Sequence, residues 1–164
     1  TGQLVWSTAV RRPAPFPYLT SYLTFRELPL HLALLEEVRA AGRLAEIVMV
    51  DGTGILHPRR AGIASHLGVV ADQPTIGVTK TLLCGDVDLD AMTPRDPRPV
   101  TYRGELCGVA IRATAGSKRP IFVSPGHRVS LAVAEAAVLQ LLVGHRLPEP
   151  IYHADRLSRQ AARG

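Results

Sequence analysis

Cysteine and long apolar runs are both scarce in this sequence. The two cysteines, Cys84 and Cys107, lie 23 positions apart with no CxxC spacing, which excludes a disulfide framework or a cysteine-rich metal knuckle and leaves two reduced thiols as the expected state. The longest apolar stretches, such as 131–143, fall well short of a membrane span, and no basic region leads into an apolar leader at the start of the chain. A soluble cytoplasmic protein without a membrane partner is therefore expected. No internal repeat is present, and no initiator Met: the chain opens on "TGQLVWSTAV", which reads as the middle of a strand, so a part of the natural protein is expected upstream.

What is present is an ordinary globular composition, 46% hydrophobic and 20% charged over 164 residues, enough for residues 1–164 to form a single domain with a sizeable core. Nineteen Lys and Arg against 14 Asp and Glu give a formal charge of +5, a balance that favours anionic partners such as nucleic acid.

Strands and helices alternate along the chain. Residues 4–10 carry β-favouring side chains, and "RRPAPFP" ends them with prolines that cannot donate to a ladder. In "TFRELPLHLALLEEVRAAG", Leu28, Leu32, Leu35 and Val38 recur at helical spacing, with Thr24 and Glu27 as a capping box and Gly42 as a stop. Residues 47–50 form the continuous apolar run expected of a strand covered on both faces. "RAGIASHLGVVAD" predicts a helix and "QPTIGVTK" a strand. Residues 84–99, rich in Asp and Pro, read as an exposed excursion. "ELCGVAIRAT" and "RPIFVSPG" predict neighbouring strands, "RVSLAVAEAAVLQLLVG" a helix from near Val129, and "YHADRLSRQAAR", after the "RLPEP" break, a terminal one. The alternation predicts an α/β architecture with a mostly parallel mixed sheet, whose sites gather beyond the carboxyl ends of the strands.

Asp51 stands at such an end. An Asp–Gly pair alone reads as a turn, but "HPRR" follows, and His57, Arg59 and Arg60 just before a helix could converge with backbone N–H groups on one phosphate. A carboxylate beside such a clamp makes chemical sense if a divalent metal lies between them. "SPGHRVS" is a second basic strand-to-helix turn: Gly126 permits a tight bend, and His127 and Arg128 point to the same end of the sheet. Other positions are ambiguous. Glu27 suits a helix start through the dipole alone, Lys80 is a strand-end charge, and Asp155 reads as a surface residue from spacing. Tyr18 is a loop aromatic, either half-buried or free to stack on a base.

Five blocks then carry a resemblance. In order, "PYLTSYLTFRELP", "VDGTGILHPRRAGIASHLGV", "PTIGVTKTLLCG", "SPGHRVS" and "HRLPEPIYHAD" resemble the signature blocks of the endonuclease V family, the deoxyinosine-directed DNA repair nucleases, from Pro17 to Asp155. The resemblance implies an RNase H-like fold, a mixed central sheet flanked by helices, with carboxylates at strand ends around Mg²⁺ and Mn²⁺ as a substitute. It implies that Asp51, Glu27 and Asp155 are metal ligands and, with Lys80, the catalytic set. Tyr18 matches the wedge tyrosine, although "PYLT" lacks that motif's second proline. His57 and Lys80 match basic residues near the scissile phosphate, Gly126 and His127 the turn lining the pocket for the flipped base, and Arg59, Arg60 and Arg128 supply phosphate contacts. The implied reaction cuts the second phosphodiester bond 3′ to deoxyinosine, leaving a 5′-phosphate and a 3′-hydroxyl, with inosine RNA a further substrate in some members. A further metal-binding aspartate of the family falls upstream of Thr1, so little cleavage is expected from these 164 residues alone. Two other readings stay open: a non-catalytic nucleic-acid binder, and an RNase H-like nuclease acting on branched DNA or structured RNA.

Overall fold

The computed structural model describes residues 2–13, 17 and 22–163, and Tyr18 lies outside them. The first helix follows the apolar spacing of its sequence. α1 (Leu23–Ala40) turns Leu28, Leu32 and Leu35 into one apolar cluster and ends where Gly42 takes a left-handed φ of +65°. There the Arg43 N–H donates to the Val38 carbonyl and the Gly42 N–H to that of Arg39, both at 3.0 Å, the paired bonds of a Schellman ending. The expected capping box is absent: the helix begins earlier, with Tyr22 at the N-cap and no side-chain cap bond.

After α1 come β1 (Val48–Asp51), α2 (Ile63–Ala71), β2 (Thr75–Thr79), β3 (Arg98–Tyr102), β4 (Glu105–Ile111), β5 (Ile121–His127), α3 (Leu131–Leu141) and α4 (Glu149–Arg163). The strands form one five-stranded sheet in the order β1-β2-β5-β4-β3. Only β1 and β2 run parallel; the other three pairings are antiparallel. This corrects the expectation of a mostly parallel sheet. The reason lies in the connections: β3 and β4 are joined through Arg103 and Gly104, both at positive φ (53° and 79°), and residues 112–120 link β4 to β5 without a helix, and such short links join only antiparallel neighbours. β3 itself falls partly within the excursion read from sequence; Pro99 is tolerated in it because the strand lies at the sheet edge.

The sheet is covered on both faces. Ile76 and Val78 of β2, Val109 and Ile111 of β4 and Ile121 and Val123 of β5 pack with Ala134, Val138 and Ile151 of the last two helices. The alternate residues Val50, Ala110 and Phe122 serve clusters on the opposite face, covered by α1 and α2 at one end and by the segment around Met92 at the other. Each fully buried Ile or Val is worth about 1.5–3 kcal/mol against exposure, so these clusters dominate the stability.

Residues 2–13 depart from their predicted strand. They join no ladder among the described residues, and Val5 is 83% exposed; β-favouring side chains hold a strand only where a partner edge and a packing face exist. β1 is likewise less covered than expected, with Val50 buried but Val48 and Met49 half-buried, because it too is an edge strand. The acidic excursion, by contrast, is pinned. The Arg112 guanidinium donates to the carbonyls of Met92, Ala115 and Ser117 at 2.8–3.1 Å. Arg95 donates to the Leu139 and Leu142 carbonyls that end α3, at 2.8 and 2.7 Å. Met92 is buried, while Asp86 and residues 88–91 face water as expected of an exposed excursion. Among the described residues no helix is long and apolar enough to cross a membrane.

α4 starts inside the "RLPEP" segment, where Pro150 costs no helical bond in the first turn. Its Glu149 side chain is buried and accepts from His145 Nδ1 at 2.7 Å, with His153 Nε2 3.2 Å from its other oxygen. Tyr152 stacks on His145 at 3.6 Å between centroids. Glu149→Ala is expected to cost about 2–3 kcal/mol, the range for losing hydrogen bonds to a charged group, measured as a lowered midpoint in urea unfolding.

Candidate functional site

The site is built at the carboxyl ends of the two parallel strands. Asp51 closes β1 in register with Val78 of β2, and the Gly52 N–H donates to the Val78 carbonyl at 2.9 Å. Lys80 follows β2 directly, and its Nζ lies 3.7 Å from Asp155 Oδ1 on α4. The Asp155 carboxylate also receives Arg159 Nη2 at 3.0 Å. The structure thus gathers Asp51, Lys80 and Asp155 at one sheet end, and the surface reading of Asp155 gives way to a half-buried carboxylate held by two cations. Asp51 is exposed, and its side chain bonds to no described residue. Glu27 sits half-buried on α1, its carbonyl accepting from His31 Nδ1 at 2.9 Å, and its carboxylate makes no bond to the other three.

The loop after Asp51 is fixed by close backbone approach. The Gly54 N–H donates to Ser124 Oγ at 3.0 Å and the Ile55 N–H to the Pro125 carbonyl at 2.8 Å. A Cβ on Gly54 would collide with that carbonyl, and one on Gly77 with the Gly54 nitrogen. Only glycines let β5, β2 and this loop pack so tightly, and the packing sets where the following basic residues go.

In this structure those residues face separate partners. Arg60, at a left-handed φ of 57°, turns to Glu105 at 2.7 Å and to Cys107 Sγ at 3.0 Å. Arg128 pairs with Asp72 at 2.8 Å, and His127 Nε2 lies 3.9 Å from the same carboxylate. Arg59 lies over the Tyr22 ring, 5.7 Å from its centroid. The first turn of α2 is partly filled, since the Ala64 N–H donates to the Thr53 carbonyl, and α3, starting at Leu131 and not near Val129, is capped by Ser130 Oγ. Exposed ion pairs are worth only about 0–1 kcal/mol, so Arg60 and Arg128 can exchange their carboxylates for phosphate at little cost. The partners Glu105 and Asp72, and the nearby His66, were not legible in the sequence, where nothing marks them.

His57 is the best-defined polar group of the loop. Its Nδ1 accepts the Arg59 N–H at 3.2 Å, which fixes the neutral ring as the Nε2–H tautomer, a donor. Burial first, then the charges of Arg59 and His66, pull its pKa below the ordinary 6.5. A folded pKa below the unfolded one means that the neutral ring is favoured on folding, so this contribution is present above pH 6.5 and is lost as pH falls through the lower folded value. A ¹H–¹⁵N titration of His57 is expected to show a midpoint below 6.5, moving upward in His66→Gln; a midpoint at or above 6.5 would contradict the assignment.

Carboxylate oxygens suit Mg²⁺, but the arrangement is not by itself a metal site. Among the described residues no group of three or more His, Cys, Asp or Glu side chains is placed to hold an ion, and Asp155 is engaged by Lys80 and Arg159.

The sequence profile of endonuclease V matches residues 1–156. The chain belongs to the endonuclease V family. It is 43% identical to the endonuclease V of Nostoc punctiforme over 156 residues, covering 95% of this chain and 69% of that one. To the endonuclease V of Azotobacter vinelandii it is 47% identical over 153 residues, covering 93% and 67%. The catalytic domain of human endonuclease V superposes with a TM-score of 0.83 at 36% identity, over 92% of this chain and 66% of that one. Endonuclease V of Ciona intestinalis, in complex with DNA containing an inosine followed by a ribo-adenosine, superposes with a TM-score of 0.76 at 32% identity, over 92% and 69%. The chain thus spans about two thirds of the length of these relatives. The mixed sheet flanked by helices is the RNase H-like fold of endonuclease V, and the family is one of nucleases that act on DNA.

Proposed function

We propose that this chain serves a DNA repair endonuclease that recognises deoxyinosine, the product of adenine deamination, and hydrolyses the second phosphodiester bond on its 3′ side, leaving a 5′-phosphate and a 3′-hydroxyl. The observation that carries the reading is the strand-end group of Asp51, Lys80 and Asp155, set in a fold whose relatives include one in complex with inosine-containing DNA. In this reading Lys80 can leave Asp155 for a non-bridging phosphate oxygen, neutral His57 donates from Nε2 to the same strand, and Arg59, Arg60 and Arg128 hold flanking phosphates without sequence preference. A weakly paired inosine is cheaper to extrude than a normal base, which favours the lesion. Gly126 and His127 line the turn proposed to receive it, Glu27 completes the acidic set, and Tyr18 is the proposed wedge. Mg²⁺, with Mn²⁺ as a substitute, is the proposed cofactor; Asp51, Glu27 and Asp155 would hold it if Asp155 left its two cations and the three carboxylates closed together, and it would polarise the phosphate.

The ribo-adenosine beside the inosine in the Ciona complex supports inosine RNA as a further substrate. The cation-bound state of Asp155 favours a second reading, a binder with little cutting activity of its own. Single-turnover assays with excess protein on inosine duplex, adenine duplex and inosine RNA, with and without Mg²⁺, test both. Slow, Mg²⁺-dependent cutting confined to inosine substrates is expected. Inosine-selective binding with no cutting would establish the binder, and equal handling of inosine and adenine would refute both.

A further inference from the structure

Where the loop after β1 meets the start of α1 lies a surface that the reaction leaves unexplained. The sequence has one Trp, four Tyr and three Phe, yet two of these aromatics stand together in water: Tyr22 is 43% and Phe25 57% exposed, with ring centroids 6.0 Å apart and planes tilted by 32°. Burying both rings would be worth several kcal/mol, so their exposure side by side is unusual for a surface that binds nothing. Over Tyr22 lies Arg59, 5.7 Å from the ring centroid. Whereas Lys80, Arg60 and Arg128 each face a carboxylate, the Arg59 guanidinium meets no acidic group among the described residues.

We propose that Tyr22, Phe25 and Arg59 form a stacking platform for an unpaired nucleobase of the bound strand. Two tilted aromatic faces beside an unneutralised planar cation match a ligand that carries a π-face and an adjacent anion, which is the chemistry of a nucleotide. A paired base within a continuous duplex has both faces covered by its neighbours, so the occupant is a base displaced from the stack. The position fits a strand entering the site, because Arg59, which lies over Tyr22, also donates its backbone N–H to the ring of His57. Stacking of this kind accepts any base, so the platform adds affinity for opened strands and leaves lesion choice to other residues. The proposal rests on the reading of the chain as a nucleic-acid-acting protein.

The test compares the 164-residue chain with Tyr22→Leu and Phe25→Leu, which keep apolar bulk and lose the π-face, and with Tyr22→Phe, which keeps it. Tyr22 caps α1 through its backbone alone, so these changes leave the helix start intact, as thermal melts will verify. Binding is read by fluorescence anisotropy on a single-stranded inosine oligonucleotide and on the fully paired inosine duplex, and stacking by the quenching of 2-aminopurine placed beside the inosine. Each Leu variant is expected to weaken single-strand binding about fivefold or more, to shift duplex binding less than about twofold, and to relieve the quenching, while Tyr22→Phe behaves as the unsubstituted chain. Equal losses on both probes, or none on the single strand, would overturn the platform. If the unsubstituted chain prefers inosine duplex to adenine duplex while the Leu variants keep single-strand binding, the platform alone fails. If the unsubstituted chain binds neither probe, the platform and the nuclease reading fail together.

Discussion

Asp51→Asn is expected to lower the single-turnover cleavage of inosine duplex by roughly two to three orders of magnitude, the usual loss when one preorganised electrostatic group is removed from a reacting centre. The fold should not register the change. Asp51 is exposed at the end of β1 and its side chain bonds to no described residue, so the stability effect should stay within about 0.5 kcal/mol. Binding separates its two possible roles. A carboxylate facing the backbone of DNA repels phosphates, so in the absence of divalent cation Asp51→Asn should hold inosine duplex as tightly as the unsubstituted chain or more tightly. Loss of cutting with binding retained identifies a reaction group. Cutting within about threefold of the unsubstituted chain, with binding unchanged, would return Asp51 to the turn that its Asp–Gly context first suggests.

Gly126→Ala should act through the fold. A Cβ there would collide with Thr75 Oγ1 and lie 2.9 and 3.0 Å from the carbonyl oxygens of Thr75 and Ala64. Thr75 Oγ1 donates to the Ala64 carbonyl at 2.7 Å, in a fully buried position. The methyl group must displace that bond and push α2 off the sheet, combining overpacking with a stranded polar pair. A loss of about 2–4 kcal/mol follows, seen as a fall in melting temperature of roughly 5–15 °C for a chain of this size. The resemblance alone assigns Gly126 to the base pocket; on that role alone, Gly126→Ala would weaken inosine binding with little change in melting. Calorimetry and anisotropy on the same preparation distinguish the two, and an unchanged melting temperature would contradict the packing argument.

Much of the site could be read from local sequence, and the reason is local too. An apolar run that stops on Asp51, and another that stops on Lys80, mark strand ends whatever lies around them, and a helical period with Gly42 at its close marks α1. The partners of the basic residues could not be read in this way. Arg60 meets Glu105, Arg128 meets Asp72 and Asp155 meets Lys80, each across a long stretch of chain with no spacing signal. Residues 4–10 show the converse: their strand-like alternation is real, but a strand forms only against an edge, and among the described residues they have none.

The sequence by itself determined the type of most elements, the strand-end position of Asp51 and, through five ordered blocks, membership of the endonuclease V family. Tertiary structure alone decided that the sheet is mainly antiparallel, that β1 lies at its edge, that Asp155 stands beside Lys80, and that Arg59 faces an aromatic ring while its neighbours face carboxylates. The division has one physical cause. Side-chain periodicity and turn chemistry act over a few residues and are written in order along the chain, whereas strand direction, ion pairing and exposure depend on which distant segments the core brings together.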